Sequence, residues 1–365
     1  MAGTVAHVVG ARPNFMKAAP VIHALGSAGV SQRVIHTGQH YDEAMSAVFF
    51  RDLGLPEPDV NLGVGSGSQA RQTAALMVAL EAELAGAMPS LAIVYGDVNS
   101  TVAAALVAAK LGLPVAHVEA GLRSFDDSMP EETNRRVTDL LSELLFVTSP
   151  EGVTNLQRMG IPDARIHFVG NPMIDSLLSN LERLDPAVIL GRLGIASPYA
   201  VATLHRPSNV DDPARAARVV AMLRATAQVV PLLLPLHPRG RPVFEAAGLV
   251  ADDRLRVVEP LGYLDFIALV RGATLVVTDS GGIQEETTVL GVPCLTVRPN
   301  TERPITITHG TNRLAEIEDV PALARAIVST GAPPTPRRPP LWDGHAGDRI
   351  GGVILGWLMA RQTAA

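Results

Sequence analysis

Acidic residues crowd into one stretch of the chain, residues 91–135. Asp97 follows the apolar run LAIVY, Glu119 follows PVAHV, and Glu131 and Glu132 stand in MPEETNRR. Short apolar runs of this kind read as buried parallel strands, here 91–95 and 115–118, joined by a helix over 99–111. Neighbouring parallel strands lie roughly 5 Å apart, and ligands of open α/β sheets bind outside their carboxyl ends. The spacing therefore predicts a small cluster of carboxylates in one crevice, suited to general acid/base work. Each acid also has a plain structural alternative. Asp97 suits a helix cap, and Glu131 and Glu132 suit a helix first turn. Arg123 and Arg135 supply partners for an ion-pair network. An acid directly after an apolar strand and before Ala-Gly is harder to explain by structure alone, so Glu119 and Glu131 are favoured for chemistry, with Asp97 next.

Basic groups recur at other strand ends. The first strand runs into GARPNFMK, where Arg12 sits at a helix start and Lys17 about a turn further in. That is a reading as an anion site, and surface charges remain the alternative. Gln39 and His40 follow the second strand, where a solvated polar loop is favoured. In the second half, strands end in His205-Arg206-Pro207 and His237-Pro238-Arg239. Metal ligation would require a tighter ligand set at fixed spacing, so cationic His and Arg facing a phosphate is the functional reading, against solvated loop histidines. Then comes TLVVTDSGGIQEETTVLGVP, in which Ser280-Gly281-Gly282 opens a helix whose free N–H groups suit a phosphate. Glu285 and Glu286 lie one turn in, at a depth where a carboxylate can accept both hydroxyls of a ribose. A capped helix with acidic first-turn residues is the alternative.

The elements that must position these groups alternate throughout. Strands are expected at 5–9, 33–37, 91–95, 115–118, 145–148 and 166–169, then, after a helix near 172–184, at 199–204, 232–236, 255–258, 275–278 and 294–297. Such alternation implies an α/β protein with parallel sheets covered by helices on both faces. The expected organisation is two doubly wound, Rossmann-like domains facing a cleft, 1–171 and 172–345, with a C-terminal helix from 346–365 packing back on the first. Residues 63–72 read as a flexible glycine-rich loop and residues 332–340, APPTPRRPP, as an extended connector.

Bulk properties fit an enzyme core of this size. The 365 residues suggest about two domains, and 47% hydrophobic content supports two cores that the 4% aromatic share leaves to Ala, Val and Leu. A net charge of −6 argues against nucleic acid or an anionic membrane as main partner. The single cysteine, Cys294, lies in an apolar run and reads as a buried, inert thiol in a reducing compartment. No leader or membrane span is expected, which places the protein in the cytoplasm. GARPNFMK is not G-x-G-x-x-G, so no dinucleotide fingerprint is present.

Taken together, GARPNFMKAAPVI, TGQH, GDVNST, HVEAGLRS, PEETNR, GNPMID, LHRPSN, DSGGIQEE and TERPITITHGTNRL resemble the non-hydrolysing UDP-N-acetylglucosamine 2-epimerases, in the same order and over roughly residues 5–315. The resemblance implies a glycosyltransferase-B type fold and interconversion of UDP-GlcNAc and UDP-ManNAc through elimination of UDP to a glycal and its re-addition, with no cofactor and no metal. It implies Asp97, Glu119 and Glu131 as acid/base groups and His205 on the departing β-phosphate. Arg12 and Lys17 would bind nucleotide and sugar, Ser280, Gly281 and Gly282 the phosphates, Glu286 the ribose and Phe266 the uracil, with Arg135 and Arg313 as further functional arginines. It also implies a homodimer and a place in polysaccharide biosynthesis. The alternatives are action on a UDP-2,3-diacetamido sugar, a hydrolysing epimerase releasing ManNAc and UDP, a glycosyltransferase, and a silent nucleotide-sugar-binding protein.

The chain departs from the regulated bacterial pattern at Asn14, where Glu is frequent, at Tyr41 and Asp42, where Arg and Gln are usual, and in a short loop before PEE. The expectation is an enzyme without activation by a second substrate molecule. Turnover of UDP-ManNAc should then start without trace UDP-GlcNAc; strict dependence on the trace would reject it.

Overall fold

A computed structural model describes residues 3–38, 50–236, 240–331 and 338–364. The chain divides into two compact units: residues up to Ser179 together with those from Pro340 on, and Asn180–Pro339.

The first unit holds β1 (Val5–Val9), α1 (Arg12–Ser27), β2 (Gln32–His36), β3 (Val60–Asn61), α2 (Gln69–Ala87), β4 (Leu91–Tyr95), α3 (Asn99–Lys110), β5 (Val115–Ala120), α4 (Pro130–Leu141), β6 (Leu144–Val147), α5 (Pro150–Arg158), β7 (Ile166–Phe168) and α6 (Pro172–Ser179). All strand pairs are parallel, in the order β3-β2-β1-β4-β5-β6-β7. The order reverses between β1 and β4, so their carboxyl ends open the crevice where such sheets bind ligands. Val, Ile, Leu and Ala fill these strands because both faces are covered: every residue of β1, β4 and β6 is buried.

Two helices show how composition sets the packing. In α2 the buried residues Gln72, Leu76, Leu80 and Leu84 recur every fourth position and form one apolar stripe. Residues 63–72 are therefore not all loop, because the helical run already starts at Gln69. The alanine-rich α3 is buried on nearly every side, and its small side chains let neighbouring helices close on it.

The second unit holds α7 (Pro186–Leu193), β8 (Ala200–Thr203), α8 (Pro207–Val210), α9 (Pro213–Val229), β9 (Leu232–Pro235), α10 (Arg241–Ala246), β10 (Leu255–Val258), α11 (Tyr263–Gly272), β11 (Leu275–Thr278), α12 (Gly281–Leu290), β12 (Cys294–Thr296), α13 (Ile305–Thr308), β13 (Asn312–Leu314) and α14 (Val320–Thr330). Its sheet runs β10-β9-β8-β11-β12-β13, again with a reversal, between β8 and β11. Helix α9 is capped by the Asp212 carboxylate, which accepts from Ala214 N–H, and buries Val219, Val220 and Leu223 in this unit's core. Cys294 is buried, and burial pushes its thiol up to about 11.

The boundary after Ser179 lies beyond the joint expected at 170–172, because α6 is tied to the first unit: Ser176 Oγ donates to Met16 O at 2.6 Å. The last helix, α15 (Ala346–Ala364), belongs to the first unit as well. Gly347 lies so close to Pro20 of α1 that an added Cβ would fall 2.6 Å from the proline ring. Asp175 accepts from Gly347 N–H at 2.7 Å, and the buried Trp342 indole donates to Thr148 O at 2.9 Å. The connector expected at 332–340 falls largely outside the described residues.

A buried histidine joins three strands of the first sheet. His7 on β1 has Nδ1 2.7 Å from the Tyr95 hydroxyl and Nε2 2.8 Å from Gln32 Oε1. Burial drives its pKa down to about 4, against a smaller upward effect of Gln32. The folded ring is neutral while the unfolded one binds a proton below pH ~6.5. The unfolded state thus holds more protons between those values, and stability falls as pH drops from ~6.5 to about 4. The expected loss is on the order of 3 kcal/mol. Urea midpoints taken across this window should decline, and His7→Gln should flatten the decline; an unaltered slope in the variant would refute the assignment.

Candidate active site

At the carboxyl edge of the first sheet, β4 and β5 run in register from Ala92↔Val115 to Tyr95↔Val118. Asp97 therefore leaves one strand end beside Glu119 at the other. Glu119 is the unusual residue. Its φ is +78°, the pairing of β5 with β6 slips between Val118 and Ala120, and the residue is 2% exposed. A bulky L-residue in left-handed backbone costs on the order of 1–3 kcal/mol and persists only where its surroundings impose it.

The surroundings do so through charge. Lys17 Nζ lies 2.7 Å from Glu119 Oε2, and both side chains are buried. Two isolated charges would not survive there; paired, they can. Gly96, at φ +65°, leaves room for them: an added Cβ would stand 3.2 Å from Lys17 Nζ and 3.7 Å from Glu119 Oε1. Asn14 completes the floor. Its amide donates to Tyr95 O at 2.9 Å while its oxygen accepts from Gly10 and Ala11 N–H at 3.1 and 2.9 Å. A glutamate carboxylate could accept those two bonds but could not donate to Tyr95, so the departure at Asn14 has a structural use here.

Asp97 is not the cap of α3; that position is Val98. Its carboxylate accepts from Arg135 Nε at 2.9 Å, and Asp97 O accepts from Asn134 Nδ2 at 2.9 Å. Arg135 also donates from Nη1 to Glu132, and Ser124 N–H and Oγ each donate to Glu132 at 2.8 Å. Arg135, expected to bind substrate, is thus 2% exposed and fixed between two carboxylates. Its guanidinium is held against Asp97 and Glu132. Adjacent in sequence, Glu131 and Glu132 divide the work: Glu132 is buried in this network, and Glu131 is half-buried with no hydrogen bond or ion pair among the described residues. Lys17 likewise faces Glu119 rather than open solvent.

The second unit carries a separate constellation at its own strand reversal. Asp279, directly after β11, is fully buried. It accepts from the backbone N–H of His205 at 3.1 Å and of Arg206 at 3.0 Å, and from Asn209 Nδ2 at 3.0 Å. His205 Nδ1 lies 3.1 Å from its other oxygen. Burial pushes the Asp279 carboxyl upward, but the His205 ring, Asn209 and the Arg206 N–H outweigh it and hold the carboxyl below its ordinary value. With Nδ1 so engaged, the Nε2 side of the half-exposed His205 ring is left for a ligand.

Ser280 caps α12, and Gly281 and Gly282 form its first turn, all partly exposed. A Cβ on Gly281 would collide with the Arg303 guanidinium. Behind it, Arg303 Nε is 3.0 Å from Glu285, and Glu302 is 2.7 Å from Arg298. Glu286 differs from Glu285. Burial pushes its carboxyl up to about 8, with the Tyr263 hydroxyl bond acting in the other direction. Phe266 is half-buried on α11, and Arg313 on β13 is exposed.

Gln39, His40, Tyr41, Asp42, His237 and Arg239 lie outside the described residues, as does the side chain of Arg12 at the start of α1. Asp279 was not singled out from the sequence, although it carries the same signal as Glu119, an acid directly after an apolar run. No group of three or more metal-ligating side chains occurs among the described residues, and no helix among them is long and apolar enough to cross a membrane.

The buried pair gives a direct stability test. Glu119→Gln strands the Lys17 ammonium and should destabilise the protein by on the order of 3 kcal/mol. Adding Lys17→Met should recover much of that loss. A Glu119→Gln variant with an unshifted denaturation midpoint would show that the pair does not hold this edge together.

The family model for UDP-N-acetylglucosamine 2-epimerase matches residues 23–355. A UDP-N-acetylglucosamine 2-epimerase of Methanocaldococcus jannaschii is 38% identical over 94% of this chain and 96% of its own. A UDP-2,3-diacetamido-2,3-dideoxy-D-glucuronate 2-epimerase of Pseudomonas aeruginosa is 42% identical over 84% of this chain and 86% of its own. The crystal structure of the M. jannaschii enzyme in complex with UDP-GlcNAc and UDP superposes with a TM-score of 0.90 at 37% identity, covering 97% of this chain and 99% of that one. With strand order, edge carboxylates and these matches in agreement, the chain belongs to the UDP-N-acetylglucosamine 2-epimerase family.

Proposed function

We propose that this protein interconverts UDP-GlcNAc and UDP-ManNAc, or a close UDP-2-acetamido sugar, without net hydrolysis. The difficulty is chemical. The carbon 2 proton of the sugar has no carbonyl beside it to stabilise a carbanion. Elimination avoids the carbanion: a carboxylate takes the carbon 2 proton, those electrons form the carbon 1–carbon 2 double bond, and the carbon 1–oxygen bond breaks with its pair going to UDP. Proton return to the other face of carbon 2 and re-addition of the diphosphate oxygen to carbon 1 give the epimer.

The observation that carries this reading is Glu119, a carboxylate kept in left-handed backbone at the strand end beside Asp97 and paired with Lys17. Asp97, Glu119 and Glu131 are the acid/base groups of this proposal. Glu131 has no hydrogen bond or ion pair among the described residues and is half-buried, which leaves its carboxylate open to a ligand. His205, oriented by Asp279, would meet the β-phosphate as negative charge develops on it. The N–H groups at Ser280, Gly281 and Gly282 would hold the phosphates, Arg12 would help bind nucleotide and sugar, and Arg313 would be a further functional arginine. Glu286 would accept the ribose hydroxyls, and Phe266 would flank the uracil. We place the enzyme in the cytoplasm, as a homodimer serving polysaccharide biosynthesis, to be checked by light scattering and fractionation.

A second reading, action on a UDP-2,3-diacetamido sugar, is favoured by the 42% identity to the P. aeruginosa relative. The same assay separates the two when both substrates are offered. Incubation with UDP-GlcNAc in deuterated water, followed by NMR, should give UDP-ManNAc with deuterium at carbon 2. Glu119→Gln and Glu131→Gln should each lower the exchange by 100-fold or more, on the order of what a general acid/base contributes. Epimer formed without label would exclude the elimination mechanism, and free ManNAc with stoichiometric UDP would mean hydrolysis.

A further inference from the structure

His117 lies on β5, two residues before Glu119, and is fully buried. Its Nε2 is 2.8 Å from the carbonyl oxygen of Gly96, and its Nδ1 is 2.7 Å from Asp139 Oδ1. A carbonyl oxygen only accepts, so Nε2 donates. Asp139, on α4, also accepts from Arg123 Nη2 at 2.6 Å and from Gly121 N–H at 3.3 Å. It is therefore an ionised acceptor, and Nδ1 must donate as well. A neutral ring would set one nitrogen lone pair against an oxygen lone pair at hydrogen-bond distance. Both contacts have the lengths of charge-assisted bonds.

Two backbone groups held by the His117–Asp139 pair, the Gly96 carbonyl and the Gly121 N–H, flank the carboxylate edge. Gly96 is the residue before Asp97, and its Cα faces Lys17 and Glu119, so its peptide cannot shift without disturbing that ion pair. Gly121 is two residues after Glu119, at φ +80°, and packs on the Gly152 backbone. Asp139 thus fastens the β4 end through His117 and the β5 end through Gly121 and Arg123. We propose that His117 is a buried imidazolium and that the His117–Asp139 pair is the positioning device that sets Asp97 and Glu119 for their chemistry. The charged groups around it are Asp139 from α4, Arg123 from the following loop, and Lys17, Asp97 and Glu119 across Gly96. The proton state of the ring stands on its contacts alone, whereas the catalytic consequence rests on the epimerase reading.

Two measurements test the two parts separately. In 15N-histidine-labelled protein, with the signal assigned by its loss in His117→Asn, both ring nitrogens of His117 should carry hydrogen between pH 6 and 8. A ring with one protonated nitrogen would overturn the proposal, whatever the activity and without any need for a variant to be active. In kinetics against wild-type epimerisation, His117→Asn and Asp139→Asn should lower kcat on the order of 10- to 100-fold, the scale of a small misplacement of catalytic groups. KM for the UDP-sugar and affinity for UDP should stay near wild type, and carbon 2 exchange should fall in step with kcat. A folded His117→Asn variant with wild-type kcat would refute the positioning role. Failure of the wild-type protein itself to epimerise would instead strike the proposed function and leave the NMR result standing.

Discussion

The ion pair between Lys17 and Glu119 is the constraint on which the first unit's site depends. Neither charge could be buried alone at the strand end, and Glu119 would not hold left-handed backbone without being forced to. The pair needs glycine at 96, since any side chain there would press on the ammonium. It needs Asn14 to fix the backbone under Lys17, and it needs the β5 bulge to turn the glutamate toward the lysine. Each of these requirements reaches a different element: α1, the β4 end and β5. Residues at one sheet edge thus become interdependent, and the geometry of the carboxylates is set by packing that lies beneath them.

The two units use one architectural rule for different tasks. In each, strand order reverses beside the first strand, at β1/β4 and at β8/β11, and the polar residues collect where the carboxyl ends diverge. In the first unit these residues are acids, two of them paired with a cation: Glu119 with Lys17 and Asp97 with Arg135. In the second they are a histidine, a helix start and backbone N–H groups, backed by buried carboxylates at Asp279, Glu285 and Glu302. In the elimination proposed above, the acids of the first unit would serve as acid/base groups and the helix start and histidine of the second would hold the anion.

Much of this was legible from the chain. The apolar strands announce themselves because both faces of a parallel sheet are covered, leaving no polar alternation to blur the runs. The acids after β4 and β5 and the Ser-Gly-Gly turn after β11 stand out against them. The short edge strands β3 and β13 were not foreseen, since two or three residues carry no periodicity. Residues 63–72 looked like loop throughout because glycine and serine outweigh the start of the helical stripe at Gln69 and Gln72. At the site, residue identity was readable but pairing was not. Nothing local says that Lys17 meets Glu119, that Arg135 is occupied by Asp97 and Glu132, or that Glu132 rather than Glu131 is the anchored member of the pair. His117 and Asp139, separated by a loop and a helix, become one device only when β5 and α4 are packed together.

The most direct test of the central claim is a crystal structure of the protein with UDP-GlcNAc and its products bound. The account predicts a carboxylate oxygen of Glu119, Asp97 or Glu131 within about 3.5 Å of sugar carbon 2, with the Lys17–Glu119 pair intact and Glu119 still at positive φ. A sugar seated away from all three carboxylates, or a Glu119 relaxed into ordinary strand backbone, would contradict it.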